Sequence, residues 1–492
     1  MHSGGVLNIL GKLLLLVSIF LLTPIPFSIY YDDGLTETFL HCAAIGGVAG
    51  GLLILLFRPI KELNLRDGFA VVVACWLGTA LLGTLPYLLS GQVPSFIDAL
   101  FESMSGFTTT GSTILTDIEA LAPSLLYWRA ATQWLGGMGI IVLSLAILPL
   151  LGVGGMQLFQ AEMTGPTNDR LTPRIQDTAR ILWNVYLWLT VLLIVLLMVG
   201  GLNFFDAITH AFSTISTAGF SPYNASIAHF NSFYIEMVII VFMFIGGINF
   251  AMHHHVLRGK LFTYWQSEEF RLYLGLSIGA IALITALNLH AAAYETIGAA
   301  LRIASFQVVA ILTTTGFTVT DFTLWPSASQ LLLVGLMLIG AMAGSTSGSI
   351  KTVRFLLFFK HVRLQLRSLI HPQTVGVIKL DGTMVPREVM TAVLGFFALY
   401  FMIFLVATLV VTALGVDMIT GTTAVIATLN NIGPGLHLVG PTHGFADLPD
   451  LAKLVLSFCM LAGRLELYTL IVLLTPGFWK TARRPQWRFI KP

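Results

Sequence analysis

Four short clusters of small polar residues, each closing on a glycine, are the parts of this sequence equipped for chemistry. They read Thr108-Thr109-Thr110-Gly111, Ser216-Thr217-Ala218-Gly219, Thr313-Thr314-Thr315-Gly316 and Asn430-Asn431-Ile432-Gly433. None contains an acidic residue, so a dehydrated monovalent ion suits them better than Ca²⁺, which prefers carboxylates. What they offer is backbone. Glycine adopts positive φ readily and lets successive carbonyls turn one way, and rings of carbonyls replace the hydration shell of a bare cation.

Each cluster follows an apolar segment, at 95–107, 204–216, 297–312 and 417–429. All four are shorter than the about 20 residues a spanning helix needs. The glycines are 108, 97 and 117 residues apart, and such a period dictates architecture. A second series, Gly137, Gly247, Gly344 and Gly463, follows at offsets of 26, 28, 28 and 30. The unit is therefore helix, half-helix, polar loop, helix, repeated four times over about 68–475. Irregular backbone at membrane depth is tolerated only inside protein or lining water, so four such loops imply one shared aqueous axis. The half-helices turn their negative C-terminal ends toward it, which favours a cation.

The chain around these loops is 492 residues long, 56% apolar and 10% charged, with a mean hydropathy of +0.85. Soluble proteins carry about 25% charged residues, which excludes an ordinary water-soluble enzyme. The net charge of +2 gives no reason to expect nucleic acid as a partner. Cys42, Cys75 and Cys459 sit in or beside apolar runs, which excludes a disulfide framework or thiolate cluster. Ten spans are expected, near 8–30, 39–57, 68–90, 130–151, 181–201, 233–251, 272–290, 328–358, 389–414 and 454–475. The first, with Pro24 and Pro26 and no small-x-small cleavage site, reads as a retained helix. With the N-terminus inside, Lys12, the inner loops and the C-terminal tail hold 22 of the 26 Lys and Arg, so both termini are assigned to the cytoplasm.

The stretches "SGFTTTGST", "STAGFS", "TTTGFT" and "NNIGPG", with "AGSTSGSIK" and "GRLELYTL", resemble the Trk/Ktr superfamily of potassium transporters, the Trk branch in particular because two spans precede the repeats. The resemblance implies an all-α polytopic membrane protein. Four pseudo-symmetric helix–pore-loop–helix repeats would surround one central ion pore, preceded by two extra transmembrane helices. It implies potassium uptake across the bacterial inner membrane, a homodimer, and a cytoplasmic nucleotide-binding regulatory subunit. Potassium would be the only metal, as transported ion. The filter carbonyls would be those of Thr109, Thr110, Thr217, Ala218, Thr314, Thr315, Asn431 and Ile432, and the filter glycines Gly111, Gly219, Gly316 and Gly433. Relatives that admit sodium tend to have serine at the first glycine, so Gly111 favours potassium. The stretch Gly344, Ser345, Thr346, Ser347, Gly348, Ser349 resembles the family's intramembrane gating loop, with serines where that loop is often richer in glycine.

The resulting division is 1–67, two N-terminal helices; 68–151, repeat 1, with its pore loop near 95–113; 152–180, a cytoplasmic loop; and 181–255, repeat 2, pore loop near 204–221. Then follow 272–360, repeat 3, pore loop near 297–318, with its last helix broken at 344–350; 361–388, a second cytoplasmic loop; 389–475, repeat 4, pore loop near 417–435; and 476–492, a cytoplasmic tail. The segments 152–180 and 351–387 are candidate docking surfaces or ordinary positive-inside loops.

Arg464 lies deep in an expected span, where a charge costs roughly 2.5–3.5 kcal/mol and normally faces a cavity or partner. It is either a positive barrier below the filter, bonded to carbonyls of the 344–350 loop, or one half of an ion pair. Its neighbour Glu466 falls nearly opposite on a straight helix. Lys351 reads as part of the gate's inner end or an interfacial anchor. Arg302 reads as a pin behind the third loop or a headgroup anchor. The run His253-His254-His255 cannot chelate one ion well, since consecutive helical side chains point about 100° apart. A coupled secondary transporter (H⁺ or Na⁺ symport) is the alternative, but Glu466 is the only acidic residue placed deep in a span. A membrane enzyme would need a catalytic cluster at membrane depth, and none has useful spacing.

Overall fold

A computed structural model describes residues 3–58, 65–147, 175–373 and 376–479. It is mostly helical, as a chain rich in apolar residues must be where lipid offers the backbone no hydrogen bonds. Among the described residues six helices are long and apolar enough to cross a membrane: Ser3–Tyr31, Thr36–Leu56, Arg66–Leu89, Ala179–Val199, Glu268–His290 and Arg387–Ala413. Two bent pairs raise the count to eight. Helix Pro123–Ile147 occupies the place of the expected span 130–151, whose last residues lie outside the described ones, as do most of the 152–180 loop and the tail from 480.

Three expected spans are not continuous helices. The 233–251 span ends at Gly246, bends by 103° and restarts as Phe250–Leu257. The 454–475 span stops at Arg464, bends by 120° and restarts as Tyr468–Leu474. The 328–358 span is helix Ser327–Met337, a non-helical stretch, then helix Thr352–Ile370. Hydropathy measures composition, not continuity, so it passes over breaks that remain apolar. The short segments are half-helices: Phe96–Phe107, Phe204–Ile215, Ile297–Leu312 and Met418–Leu429. Twelve residues reach about 18 Å and the sixteen of Ile297–Leu312 about 24 Å at 1.5 Å per residue, short of a bilayer core of about 30 Å.

The two helices ahead of the repeats cross closely. A methyl added at Gly11 would lie 2.7 Å from Gly50 O, and one at Gly50 would lie 2.7 Å from Gly11 O. Such backbone contact is how helices associate where lipid removes any hydrophobic drive. Between helices Thr352–Ile370 and Arg387–Ala413 the chain departs from all-α. Strands Lys379–Leu380 and Thr383–Met384 form a small antiparallel hairpin, turned through Asp381 and Gly382 at φ 48° and 80°, the pair a two-residue turn of this hand favours.

Candidate ion pathway

Each half-helix is built by the same local devices. Ser95, Asn203, Thr296 and Asp417 cap the N-termini, their side chains accepting from the N–H groups of Asp98, Asp206, Ala299 and Thr420. The C-termini close with paired backbone bonds. Thr110 N–H donates to Ser105 O (2.8 Å) and Thr109 N–H to Gly106 O (3.0 Å). Ala218 and Thr217 do the same to Ser213 and Thr214, Thr315 and Thr314 to Ala310 and Ile311, and Ile432 and Asn431 to Ala427 and Thr428. This pairing is a Schellman motif, which needs one left-handed residue. Thr109, Thr217, Thr314 and Asn431 occupy that position at φ 53°, 51°, 59° and 53°. A β-branched threonine at positive φ is an outlier, held at a cost of order 1–3 kcal/mol by its surroundings.

Two residues later the backbone turns left-handed again, at Gly111, Gly219, Gly316 and Gly433, with φ 83°, 79°, 75° and 108°. The alternation of hand turns successive carbonyls to the same side of each loop. The four loops close into a ring. A methyl added at Gly111 would lie 2.2 Å from Ala218 O, at Gly219 1.8 Å from Thr315 O, at Gly316 1.8 Å from Ile432 O, and at Gly433 3.1 Å from Thr110 O. The order first to second to third to fourth to first encloses one axis, and all eight residues expected to supply carbonyls are buried.

Polar side chains hold the loops from outside the ring. Nine residues before each glycine the half-helices carry Glu102, His210, Gln307 and Ala424. Glu102 accepts from Thr113 Oγ1 and Ile114 N–H, both at 3.0 Å. His210 Nε2 lies 3.1 Å from Ser221 Oγ, and Gln307 Nε2 donates to Phe317 O at 3.5 Å. Arg129 Nε lies 2.8 Å from Glu102 Oε1, and Arg129 also donates to Ser221 O (3.1 Å) and stacks over Phe220. Gln133 bridges the second loop, donating to Ala218 O (2.9 Å) and accepting from Phe220 N–H (3.1 Å). A carbonyl oxygen has two lone pairs, so Ala218 O keeps one beyond the bond from Gln133.

The 344–350 stretch packs directly beneath this ring. Thr346 Oγ1 lies 3.1 Å from Thr217 Oγ1 and donates to Ile215 O (3.0 Å). Gly348 N–H donates to Thr314 Oγ1 (2.7 Å). Gly344 and Ser349 are left-handed, at φ 73° and 61°. The stretch docks into the break of the second repeat, where Met342 N–H meets Gly247 O (3.0 Å) and Phe250 N–H meets Gly344 O (3.1 Å). Ser345 Oγ bonds Met342 O and Ser347 Oγ, and Lys351 Nζ donates to Ser347 O and Ser347 Oγ. Arg464 is buried and donates to Thr346 O (2.8 Å) and to Gly136 O (3.2 Å). Arg464 is therefore bonded to backbone of the stretch. Glu466 pairs with Arg354 at 2.5 Å instead, because the helix ends between the two and Glu466 sits at φ 56°.

A family model described as TrkH, cation transport protein, matches residues 36–480. The chain belongs to the TrkH family. It is similar to the Trk system potassium uptake protein TrkH of Halomonas elongata, 43% identical over 480 residues, with 96% of this chain and 99% of that protein covered. The protein of the same description from Escherichia coli is 41% identical over 488 residues, covering 98% and 100%. The crystal structure of the potassium transporter TrkH from Vibrio parahaemolyticus matches at a TM-score of 0.90 and 40% identity, covering 98% of this chain and all of that one.

Within this TrkH-family chain several sequence expectations need correcting. The downstream glycines that abut their own half-helices are Gly136 and Gly463, where an added methyl would lie 1.9 Å from Phe107 O and Leu429 O, and Gly246, 3.5 Å from Ile215 O. The register drawn through Gly137 and Gly247 is thus one residue late, and the counterparts of Arg464 become Gly137 and Gly247. Arg464 is not the only buried charge, and Glu466 is partly exposed. Arg129, Lys453 and Glu102 are also buried, and Lys453 lies 2.6 Å from Asp98. Arg302 makes a two-pronged pair with Glu236 (2.6 and 2.7 Å), neither a contact with a filter loop nor a bare headgroup anchor. His253 is buried, its Nδ1 2.7 Å from Tyr264 Oη and its Nε2 3.0 Å from Ile245 O. The sequence reading missed Gln133, Glu102 and Arg129. The one available signal was the polar residue recurring nine places before three of the four glycines.

Proposed function

We propose that this protein takes up potassium across the bacterial inner membrane through one carbonyl-lined filter within a single chain. The carrying observation is the closed ring of four left-handed loops, in which each glycine abuts the carbonyl preceding the next loop's glycine. The names of the relatives, Trk system potassium uptake proteins, support the ion. The carbonyls of Thr109, Thr110, Thr217, Ala218, Thr314, Thr315, Asn431 and Ile432 replace potassium's water. The residues 344–350 are the gate, with Lys351 at its inner end and Arg464 as a positive barrier under the filter, since a charge in a low-dielectric pore repels cations far more strongly than in water. The four repeats follow the divisions read from the sequence, both termini face the cytoplasm, the chain works as a homodimer, and a cytoplasmic nucleotide-binding subunit regulates it.

Flow is passive rather than coupled to H⁺ or Na⁺. The carboxylates of Glu102, Glu236 and Glu466 are each engaged by an arginine, and that of the buried Glu269 by two backbone N–H groups, which holds all four in place. The test is flux into liposomes with K⁺, Rb⁺, Na⁺ and Li⁺ compared, with and without a pH gradient. K⁺ and Rb⁺ should pass well, Na⁺ and Li⁺ poorly, and the gradient should make no difference. Equal passage of Na⁺ and K⁺ would remove the filter reading, and accumulation driven by the gradient would establish the coupled alternative.

A further inference from the structure

Stretch 344–350 is a loop with a closed neck. Gly340 N–H donates to Ile350 O (2.8 Å), Thr352 N–H to Ala341 O (3.1 Å), and Thr352 Oγ1 to Gly340 O (2.6 Å), so the chain entering the loop runs beside the chain leaving it. One side chain from another helix joins both strands of that neck. Glu269, in the first turn of helix Glu268–His290, accepts through a single oxygen, Oε1, from Ala343 N–H (2.8 Å) and Val353 N–H (3.1 Å). The two donors flank the loop, ten residues apart, and Glu269 is buried. In a low-dielectric surround such hydrogen bonds are electrostatically stronger than in water.

The helix end that carries Glu269 is itself fixed. Ser267 caps it through Phe270 N–H, Asp381 in the hairpin accepts from Glu268 N–H (2.7 Å), and Lys360 on the helix leaving the loop pairs with Glu268. The carboxylate therefore reaches the neck from an anchored position.

We propose that Glu269 is a positioning residue of the gate, a clamp that holds the neck of the 344–350 loop closed so that the loop stays under the filter. The inference rests on the reading of that loop as the gate. With the clamp gone, both strands of the neck lose their shared acceptor and the loop is freer to leave the axis, while the filter's own bonds are untouched.

The experiment compares K⁺ and Na⁺ flux in liposomes for wild type, Glu269→Ala, Glu269→Gln and a deletion of residues 345–349, with hydrogen exchange followed across 339–355. Glu269→Ala should raise K⁺ flux about tenfold, which corresponds to roughly 1.4 kcal/mol of closed-state preference, with the K⁺ to Na⁺ ratio unchanged and faster exchange at the neck. Glu269→Gln, whose amide oxygen accepts the same two bonds, should restore most of the wild-type behaviour. A folded Glu269→Ala with wild-type flux overturns the clamp, as does a Gln variant as leaky as Ala. Should Glu269→Ala fail to fold, Glu269→Asp decides, since its shorter side chain cannot span both donors. An intermediate leak supports the clamp and wild-type flux overturns it. If the deletion leaks and Glu269→Ala does not, the clamp alone fails; if the deletion does not leak either, the gate reading fails first.

Discussion

Serine at position 111 would set its Cβ 2.2 Å from Ala218 O, at a backbone φ of 83° that side chains rarely adopt. The first loop and the Ala218 carbonyl would have to move apart, and the carbonyl cage would lose the spacing that tells K⁺ from Na⁺. Gly111→Ser should therefore lower K⁺ over Na⁺ discrimination about tenfold, a loss of roughly 1.4 kcal/mol, read as a flux ratio; full discrimination would mean the first loop does not belong to the filter. Arg464→Ala removes the bonds to Thr346 O and Gly136 O together with the positive charge. K⁺ flux should rise with the ion ratio unchanged, whereas Arg464→Lys keeps the charge, loses the forked donor and should fall between. Lower flux in a folded Ala variant would make Arg464 a structural tie. The glycines and Arg464 were legible in the sequence because their types are costly where they stand. Gln133 was not, because a glutamine in a membrane helix acquires meaning only once the Ala218 carbonyl lies beside it.

The half-helices were readable from segment length and the small-polar endings, and the structure places helices at all four, though their N-terminal caps were not read. The breaks at 247–249 and 465–467 were not, since each depends on what fills it. The first receives the backbone of the 344–350 stretch, and the second lets Glu466 reach Arg354. Outside the membrane, Asp33 ties the turn after the first helix to the start of helix Pro123–Ile147, accepting from Ser124 N–H (3.0 Å), Ser28 Oγ (2.5 Å) and Leu35 N–H (3.2 Å). Burial raises its pKa, but the bonds from Ser124, Ser28 and Leu35 outweigh that and hold it below the usual value. A lowered carboxylate pKa adds stability above the unfolded value, about 3.9, which is lost as pH falls through the folded one. Asp33→Ala should cost roughly 1 kcal/mol at neutral pH, the scale of a lost cap partly screened by solvent. The gap to wild type in thermal unfolding should shrink toward pH 3; a gap independent of pH would mean that packing, not the carboxylate, is responsible.

Across the molecule, charged pairs join neighbouring repeats at the level of the loops. Arg129 connects Glu102 in the first repeat with Ser221 O in the second, Arg302 in the third reaches Glu236 in the second, and Lys453 in the fourth reaches Asp98 in the first. Removing one partner of a buried pair leaves an uncompensated charge, worth about 3–5 kcal/mol. Arg129→Ala should therefore lower unfolding temperature and yield far more than Lys453→Ala, whose partner Asp98 is partly exposed; equal effects would show that Arg129 does not brace the ring. Asn431 supplies a different kind of tie, its Nδ2 donating to Thr110 Oγ1 and to Met460 O, both at 2.9 Å. Because all four walls of the ring come from one polypeptide, a substitution rewrites one quadrant, whereas in an assembly of identical subunits it would rewrite every quadrant at once. Ion preference in such a ring can be adjusted in quarter steps with three walls left as they were. The Asn431–Ile432 wall already differs in sequence from the three that carry threonine at the left-handed position.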